Sequence, residues 1–375
     1  MDAFEQKKFT FLTFSATRVI LFCALLGAVI CAAVFAPALS FSGGNAFHYE
    51  TGTLAVHYLD VGQGDAIAVQ FPDGRVCLID CGTAIYYTRV KTYLTTRILK
   101  GGRREIDFLI ATHAHGDHVG GFPQLLEDFW VDTVYRPHNR SNSDFDINEN
   151  ALGPLYPEQV YTDFVDAAYT FAREVAFIEA GTEIKGADEL FGNPFSMYFH
   201  TPTVGFIRTL TARPDQEFND ISPIISLCYR DQVFVFTGDA GTKTEGEFMR
   251  DARALATDFA GLETFLKVGH HGSKNSTTAA FLEFLKPDKA VISVGARNNY
   301  GHPNADALGR LAEAGLREED IFETRFLGNV VFATGGEADG RMFFAFDNEA
   351  DLSLVYVLAA AVLFFVCFAN FRVIH

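Results

Sequence analysis

The chain has 375 residues, enough for one large or two ordinary domains with further segments. Lys and Arg number 30 against 47 Asp and Glu, a formal net charge of −17. That balance excludes a protein that coats a polyanion with its whole surface, though not one with a local basic channel. The six cysteines do not form a disulfide framework. Cys23, Cys31 and Cys367 fall in apolar runs, and Cys77 and Cys81 lie on one expected strand roughly 13 Å apart, beyond the reach of a bridge.

Residues 19–39 carry no charge and are long enough, as a helix, to cross a hydrocarbon core of about 30 Å. They are expected to form a transmembrane helix or signal anchor behind a cytoplasmic tail, 1–18; Ala36-Pro37-Ala38 keeps a cleaved signal peptide as the alternative. Residues 40–52 read as a polar linker. Three short apolar runs follow at 54–59, 66–71 and 76–79, the last two joined by Pro72-Asp73-Gly74, which predicts a strand meander. Val90, Tyr93, Leu94 and Ile98 recur at helical spacing over 88–100, before Gly101-Gly102. A strand at 106–111, a short helix at 121–129 and a strand at 131–135 come next.

Residues 137–214 are the least legible. The Asn-, Asp- and Ser-rich stretch 139–150 is expected to be a mobile surface loop, and Val160, Phe164, Ala167, Ala168, Phe171 and Val175 mark one amphipathic helix. Strands at 224–227, 233–236, 264–268 and 290–294 then alternate with helices at 243–255, 278–285 and 305–314. A hairpin over 329–334 and 341–346 completes a body spanning 53–347. A second uncharged run, 352–371, is the other expected transmembrane helix. Lys7, Lys8 and Arg18 before the first run and Arg372 after the second put both ends in the cytoplasm and the body outside it. A meander followed by alternating strands and helices predicts an α/β fold, two sheets with helices on their outer faces.

The chemistry concentrates at expected strand ends. His113-Ala114-His115-Gly116-Asp117-His118-Val119-Gly120-Gly121 gathers three imidazoles and a carboxylate between small residues, ligand types that suit zinc, iron or manganese. Thr237-Gly238-Asp239-Ala240 offers a carboxylate whose two oxygens can bridge two cations. In Lys267-Val268-Gly269-His270-His271-Gly272-Ser273-Lys274 one imidazole is a ligand and its neighbour a supporting or proton-transferring group, and the spacing fits either order. His302, between Gly301 and Pro303, can donate to a phosphate, protonate a leaving group, or simply precede the helix that follows. His48, His57, His138, His200 and His375 lie outside these motifs.

The order HxHxDH, Gly-Asp, His-His resembles the metallo-β-lactamase superfamily and its αββα sandwich. Asp60-Val61-Gly62-Gln63-Gly64-Asp65-Ala66, Leu78-Ile79-Asp80-Cys81-Gly82, Asn219-Asp220-Ile221-Ser222, Thr237-Gly238-Asp239, His270-His271-Gly272-Ser273 and Tyr300-Gly301-His302-Pro303 are similar to the hydrolase domains of the ComEC family of DNA-uptake proteins. The resemblance implies one or two divalent metals, Zn²⁺ or Mn²⁺. His113 and His115 would hold the first, Asp117 and His118 the second, Asp239 would bridge them, and His270 or His271 would complete the set. Asp60, Asp65 and Asp80 would support the ligands from behind. Asn219 stands where the superfamily usually has another His on the first metal, a harder and weaker ligand that favours manganese over zinc.

By the same resemblance Asp117 would orient or deprotonate the attacking water, His302 with the spare histidine would donate to the phosphate or leaving oxygen, and Ser273, Lys274 and Asn275 would contact the phosphodiester. ComEC proteins also carry a multi-helix channel, whereas this chain offers one apolar span at each end. The expectation is a membrane-anchored, metal-dependent phosphodiesterase, a nuclease acting on DNA outside the cytoplasm, with DNA-uptake or cell-surface partners. The alternative is hydrolysis of a small or surface-polymer phosphodiester such as a phosphocholine ester, which the acidic balance favours because a polyanion meets a repulsive field. A non-enzymatic membrane assembly factor fits less well, since it would have no use for an intact ligand set.

Overall fold

The computed structural model describes residues 52–148, 151–188, 192–210, 217–254, 259, 261–334 and 342–347. All of them belong to one compact unit, Tyr49–Asn348. The expected membrane spans at 19–39 and 352–371, with the tail at 1–18 and most of the linker, lie outside the described residues. Among those described, no helix is long and apolar enough to cross a membrane.

A first sheet takes β1 (Ala55–Tyr58), β2 (Ile67–Gln70), β3 (Val76–Ile79), β4 (Glu105–Ile110), β5 (Trp130–Arg136) and β6 (Glu174–Phe177). A second takes β7 (Glu183–Ala187), β8 (Pro194–Phe199), β9 (Ile225–Tyr229), β10 (Gln232–Phe236), β11 (Glu263–Lys267), β12 (Lys289–Ile292) and β13 (Ile321–Glu323). The chain then returns to the first sheet with the hairpin β14 (Asn329–Thr334) and β15 (Met342–Asp347). Spatial order is β15-β14-β1-β2-β3-β4-β5-β6 in one sheet and β13-β12-β11-β10-β9-β8-β7 in the other. The expected meander forms, with β1, β2 and β3 antiparallel. From β3 to β6 and from β10 to β13 the pairing is parallel.

Alternation along the strands builds the layers. Leu78, Leu109 and Val134 point outward from the first sheet and pack beneath the helices Tyr87–Tyr93, Phe122–Asp128 and Gln159–Phe171, through Val90, Phe122, Leu125 and Phe164. Val233, Val235, Leu266 and Ile292 do the same in the second sheet, against Phe248, Phe281 and Leu311 of the helices Thr242–Ala254, Ala279–Leu285 and Ala305–Glu313. The opposite faces meet each other: Cys77, Ile79 and Ile110 pack with Phe234, Phe236, Phe265 and Val291. The result is an αββα sandwich. Because both faces of its central strands are buried, they read in sequence as unbroken apolar runs.

The region 137–214 departs from expectation. The amphipathic helix ends at Phe171, and Val175 belongs to β6, opposite Val134. β6, β7, β8 and the short β13 carried no clear sequence signal. The stretch 139–150 is not simply a surface loop, since Asn139, Ser141, Ser143 and Asp146 are buried. Arg136 explains this, because its fully enclosed guanidinium must be answered. It donates to Asp146 Oδ1 at 2.6 Å, to the Asn139 carbonyl at 2.7 Å and to the Tyr161 hydroxyl at 3.1 Å.

Candidate metal centre

Five loops at the carboxyl ends of strands deliver the chemical groups to one edge of the sandwich, where open α/β sheets ordinarily bind ligands. Asp80 follows β3, His113 to His118 follow β4, Asp239 follows β10, His270 and His271 follow β11, and His302 follows β12. Gly64 must be glycine for the loops to close. Its φ is +142°, and a Cβ there would stand 2.3 Å from the Asp117 carbonyl oxygen.

Asp239, fully buried, is the hub. Its Oδ1 lies 3.3 Å from His118 Nε2 and 3.6 Å from His271 Nε2, and its Oδ2 lies 3.7 Å from His113 Nε2 and 3.5 Å from His270 Nε2. Each carboxylate oxygen therefore faces a different pair of imidazoles. His115 Nδ1 sits 3.0 Å from His113 Nε2, and Asp117 Oδ2 sits 3.4 Å from His271 Nε2. Potential ligand atoms of His113, His118 and Asp239 converge within 4.8 Å, as do those of Asp117, His118 and His271. Among the described residues, His118 Nε2, His271 Nε2 and Asp239 Oδ1 are buried without a hydrogen-bond partner. Three such atoms facing one another would each cost free energy unless something charged sits between them, and a divalent cation satisfies that requirement.

The support behind these groups is polar and dense. Asp80 accepts from the Thr112 N–H at 2.8 Å, the Thr112 hydroxyl at 2.7 Å and His118 Nδ1 at 2.7 Å. Asp65 approaches His271 Nδ1 at 3.4 Å and forms a wholly buried ion pair with Lys267 at 2.8 Å. His271 Nδ1 also donates to the Ser293 carbonyl at 2.9 Å, which leaves Nε2 facing Asp239. Asp60 does a different job from the one expected. It accepts from the Gly62 N–H at 3.1 Å and faces Arg89 at 3.4 Å, so it shapes the loop rather than touching the ligands.

His270 and His271 both adopt left-handed backbone, with φ of 48° and 53°. That geometry turns the two rings to opposite sides of Asp239. Asn219 packs against the first of them, its amide 3.3 Å from His270 Nδ1, and its Oδ1 is buried without a partner among the described residues. Ser273 shapes the turn: its hydroxyl accepts from the Asn275 N–H at 3.3 Å. Thr278 caps the following helix by accepting from the Phe281 N–H at 3.2 Å.

Electrostatics divides the imidazoles. Burial, aided by the neighbouring His118, holds His113 well below the ordinary imidazole range. Burial also opposes charge on His118 and His271, but Asp239 outweighs it, helped by Asp80 at His118 and by Asp117 and Asp65 at His271, so that His271 is pushed up to about 10. Asp117 and Asp239 are fully ionised: burial favours their neutral forms, but the surrounding histidines hold both below the usual carboxylate range. His302 is driven down to about 4 by burial and by His270 and His271.

Sequence reasoning missed three contributors. Lys267 opened the His-His stretch without a role being read for it; its one signal was a lysine inside an otherwise apolar strand. Glu245 accepts from the Thr278 N–H at 3.0 Å, and Arg310 donates to the carbonyls of Thr277 at 2.9 Å and Ser276 at 2.8 Å. Both brace the His270 loop from distant helices, and neither carried a local signal. His57 and His200, outside the motifs, are buried with partners of their own: Tyr93 Oη at 2.9 Å from His57 Nδ1, and Ser226 Oγ at 2.8 Å from His200 Nε2.

Residues 59–205 match the metallo-beta-lactamase superfamily. The chain carries a metallo-β-lactamase superfamily domain. Over 277 residues it is 28% identical to ComE operon protein 3 of Bacillus subtilis, covering 70% of this chain and 31% of that protein. It is 25% identical over 283 residues to competence protein ComA of Neisseria gonorrhoeae, covering 75% and 32%. It is 42% identical over 262 residues to recombination protein 2 of Haemophilus influenzae, covering 69% and 26%. The chain thus spans about a third or less of the length of these relatives.

Proposed function

We propose that the domain is a metal-dependent phosphodiesterase, a nuclease acting on DNA outside the cytoplasm. The observation that carries this reading is Asp239, one oxygen facing His113 and His270 and the other facing His118 and His271. His113, His115 and His270 would hold one divalent ion, Zn²⁺ or Mn²⁺, and Asp117, His118 and His271 a second. His270 would then supply the imidazole missing at Asn219, while Asn219 orients it: an amide turned to accept from Nδ1 leaves Nε2 free to ligate. Bound ions would lower the pKa of a water and stabilise charge developing at phosphorus.

The protein's own groups take complementary parts. Asp117, ionised and held beside His271, is the acceptor for the proton of an attacking water. His302 is neutral near pH 7, so it serves as a hydrogen-bond donor to a phosphate oxygen rather than as a general acid. The competence-related names of two relatives support DNA as the substrate. The net charge of −17 favours a second reading, hydrolysis of a small phosphodiester or phosphocholine ester. The runs at 19–39 and 352–371 would tether the domain to the membrane, and protection of the body from added protease in spheroplasts would contradict an outward orientation.

The test is turnover of single- and double-stranded DNA, RNA, bis-p-nitrophenyl phosphate and a phosphocholine ester by the full chain with Mn²⁺ or Zn²⁺, beside Asp239→Ala. Metal-dependent cleavage of DNA that is lost in the variant supports the nuclease. Cleavage of the small esters alone supports the second reading, and no turnover of any phosphodiester ends both.

A further inference from the structure

The loop after β12 carries an aromatic residue that this chemistry leaves unused. Tyr300 is 71% exposed, yet its ring lies stacked on His302, with centroids 5.8 Å apart and planes 26° apart. His302 in turn stands 5.5 Å from the His270 ring and 6.4 Å from the His271 ring. Tyr300 is therefore one ring removed from the histidine pair, at the solvent end of an aromatic series that leads to the metal centre.

The loop is built to hold it there. Asn298 Nδ2 donates to the Gly295 carbonyl at 2.9 Å and to the His302 carbonyl at 2.8 Å, and Asn298 Oδ1 accepts from the Tyr300 N–H at 3.2 Å and the His302 N–H at 3.0 Å. Gly301, with φ of 71°, makes the left-handed turn between the two rings. One side chain thus fixes the backbone on both sides of the exposed ring.

Charge sharpens the point. At a net charge of −17 the surface as a whole offers a nucleic acid little attraction through phosphate neutralisation. A flat aromatic face supplies affinity of another kind, tolerant of sequence because every base has a π-face. We propose that Tyr300 is a stacking platform for an unpaired nucleobase flanking the scissile phosphate, which makes single-stranded nucleic acid the preferred substrate. The proposal rests on the nuclease reading above. Successive stacked bases are about 3.4 Å apart along a strand, so the ring reaches a base roughly one or two nucleotides from the phosphate at His302.

Two measurements test it on the full chain. In the first, a single-stranded oligonucleotide containing 2-aminopurine is titrated into metal-free wild type, Tyr300→Ala and Tyr300→Trp, and fluorescence quenching reports stacking without turnover. Quenching and affinity should fall roughly five- to hundredfold in the alanine variant and survive in the tryptophan variant. In the second, Mn²⁺-loaded protein cleaves single-stranded and duplex DNA and bis-p-nitrophenyl phosphate. The alanine variant should lose at least fivefold more on single-stranded DNA, through KM, than on the small ester. An abasic site beside the scissile bond should cost wild type the same factor.

Equal quenching in wild type and Tyr300→Ala overturns the proposal. So does an equal loss on DNA and on the small ester, which would mean that Tyr300 only positions His302. Hydrolysis of the small ester without cleavage of any nucleic acid ends the nuclease reading instead, and the quenching titration still decides whether Tyr300 stacks a base.

Discussion

Replacing Asp80 with Asn tests how the fold holds its ligands. Asp80 is fully buried and sits in left-handed backbone, φ 57°. Asn tolerates that conformation and matches the side chain in size, so Asp80→Asn alters the hydrogen bonding with little strain. Three donors converge on the carboxylate: the Thr112 N–H at 2.8 Å on Oδ1, and the Thr112 hydroxyl and His118 Nδ1, each at 2.7 Å, on Oδ2. An amide has one accepting oxygen. Whichever way it turns, either the Thr112 N–H or His118 Nδ1–H meets an NH₂ group. In the orientation that keeps the Thr112 N–H bonded, the His118 ring loses the partner that fixes its tautomer and aims Nε2 toward Asp239. Removing such a partner costs about 10- to 100-fold in metal affinity, or roughly 1.4 to 2.7 kcal/mol. Calorimetric titration of Mn²⁺ or Zn²⁺ into wild type and Asp80→Asn measures this, with circular dichroism as the check that the variant is folded. An unchanged dissociation constant in a folded variant would refute the argument that Asp80 positions His118.

The remaining predictions concern the frame. Arg310 ties down a loop in which His270, His271 and Thr277 are all left-handed, so Arg310→Met should cost roughly 2 kcal/mol and lower Tm by about 3 °C. An unchanged melting curve would show that the loop holds itself. Burial lowers His57 and His200 to about 4 each. The unfolded chain protonates these rings near pH 6.5 while the folded protein keeps them neutral until about pH 4, so acid favours unfolding throughout that window, by about 1.4 kcal/mol per pH unit per ring. Urea unfolding at pH 7 and pH 5 should therefore show a smaller loss in His57→Gln than in wild type, by roughly 2 kcal/mol, and equal losses would contradict a neutral buried His57.

The sequence by itself determined the donor atoms and their order. HxHxDH, Gly-Asp and His-His are short-range patterns, and each ends an apolar run that had to be a buried strand. The meander, the alternating strands and helices and the αββα layering followed from the same runs, and the structure bears them out. Tertiary structure alone decided how those atoms face one another. Whether His270 or His271 meets Asp117 depends on two left-handed backbone angles that residue types do not encode. The pairing of Lys267 with Asp65, the contact of Asn219 with His270 and the grip of Arg310 on the loop all join segments far apart in the chain. The same holds for 139–150, whose polar composition suggests a solvated loop until the enclosed charge of Arg136 requires Asp146 beside it. Local composition fixes which groups can ligate or pair. Only the packing of one sheet on the other brings them within reach, because a buried charge or lone pair is satisfied by whatever the fold places next to it.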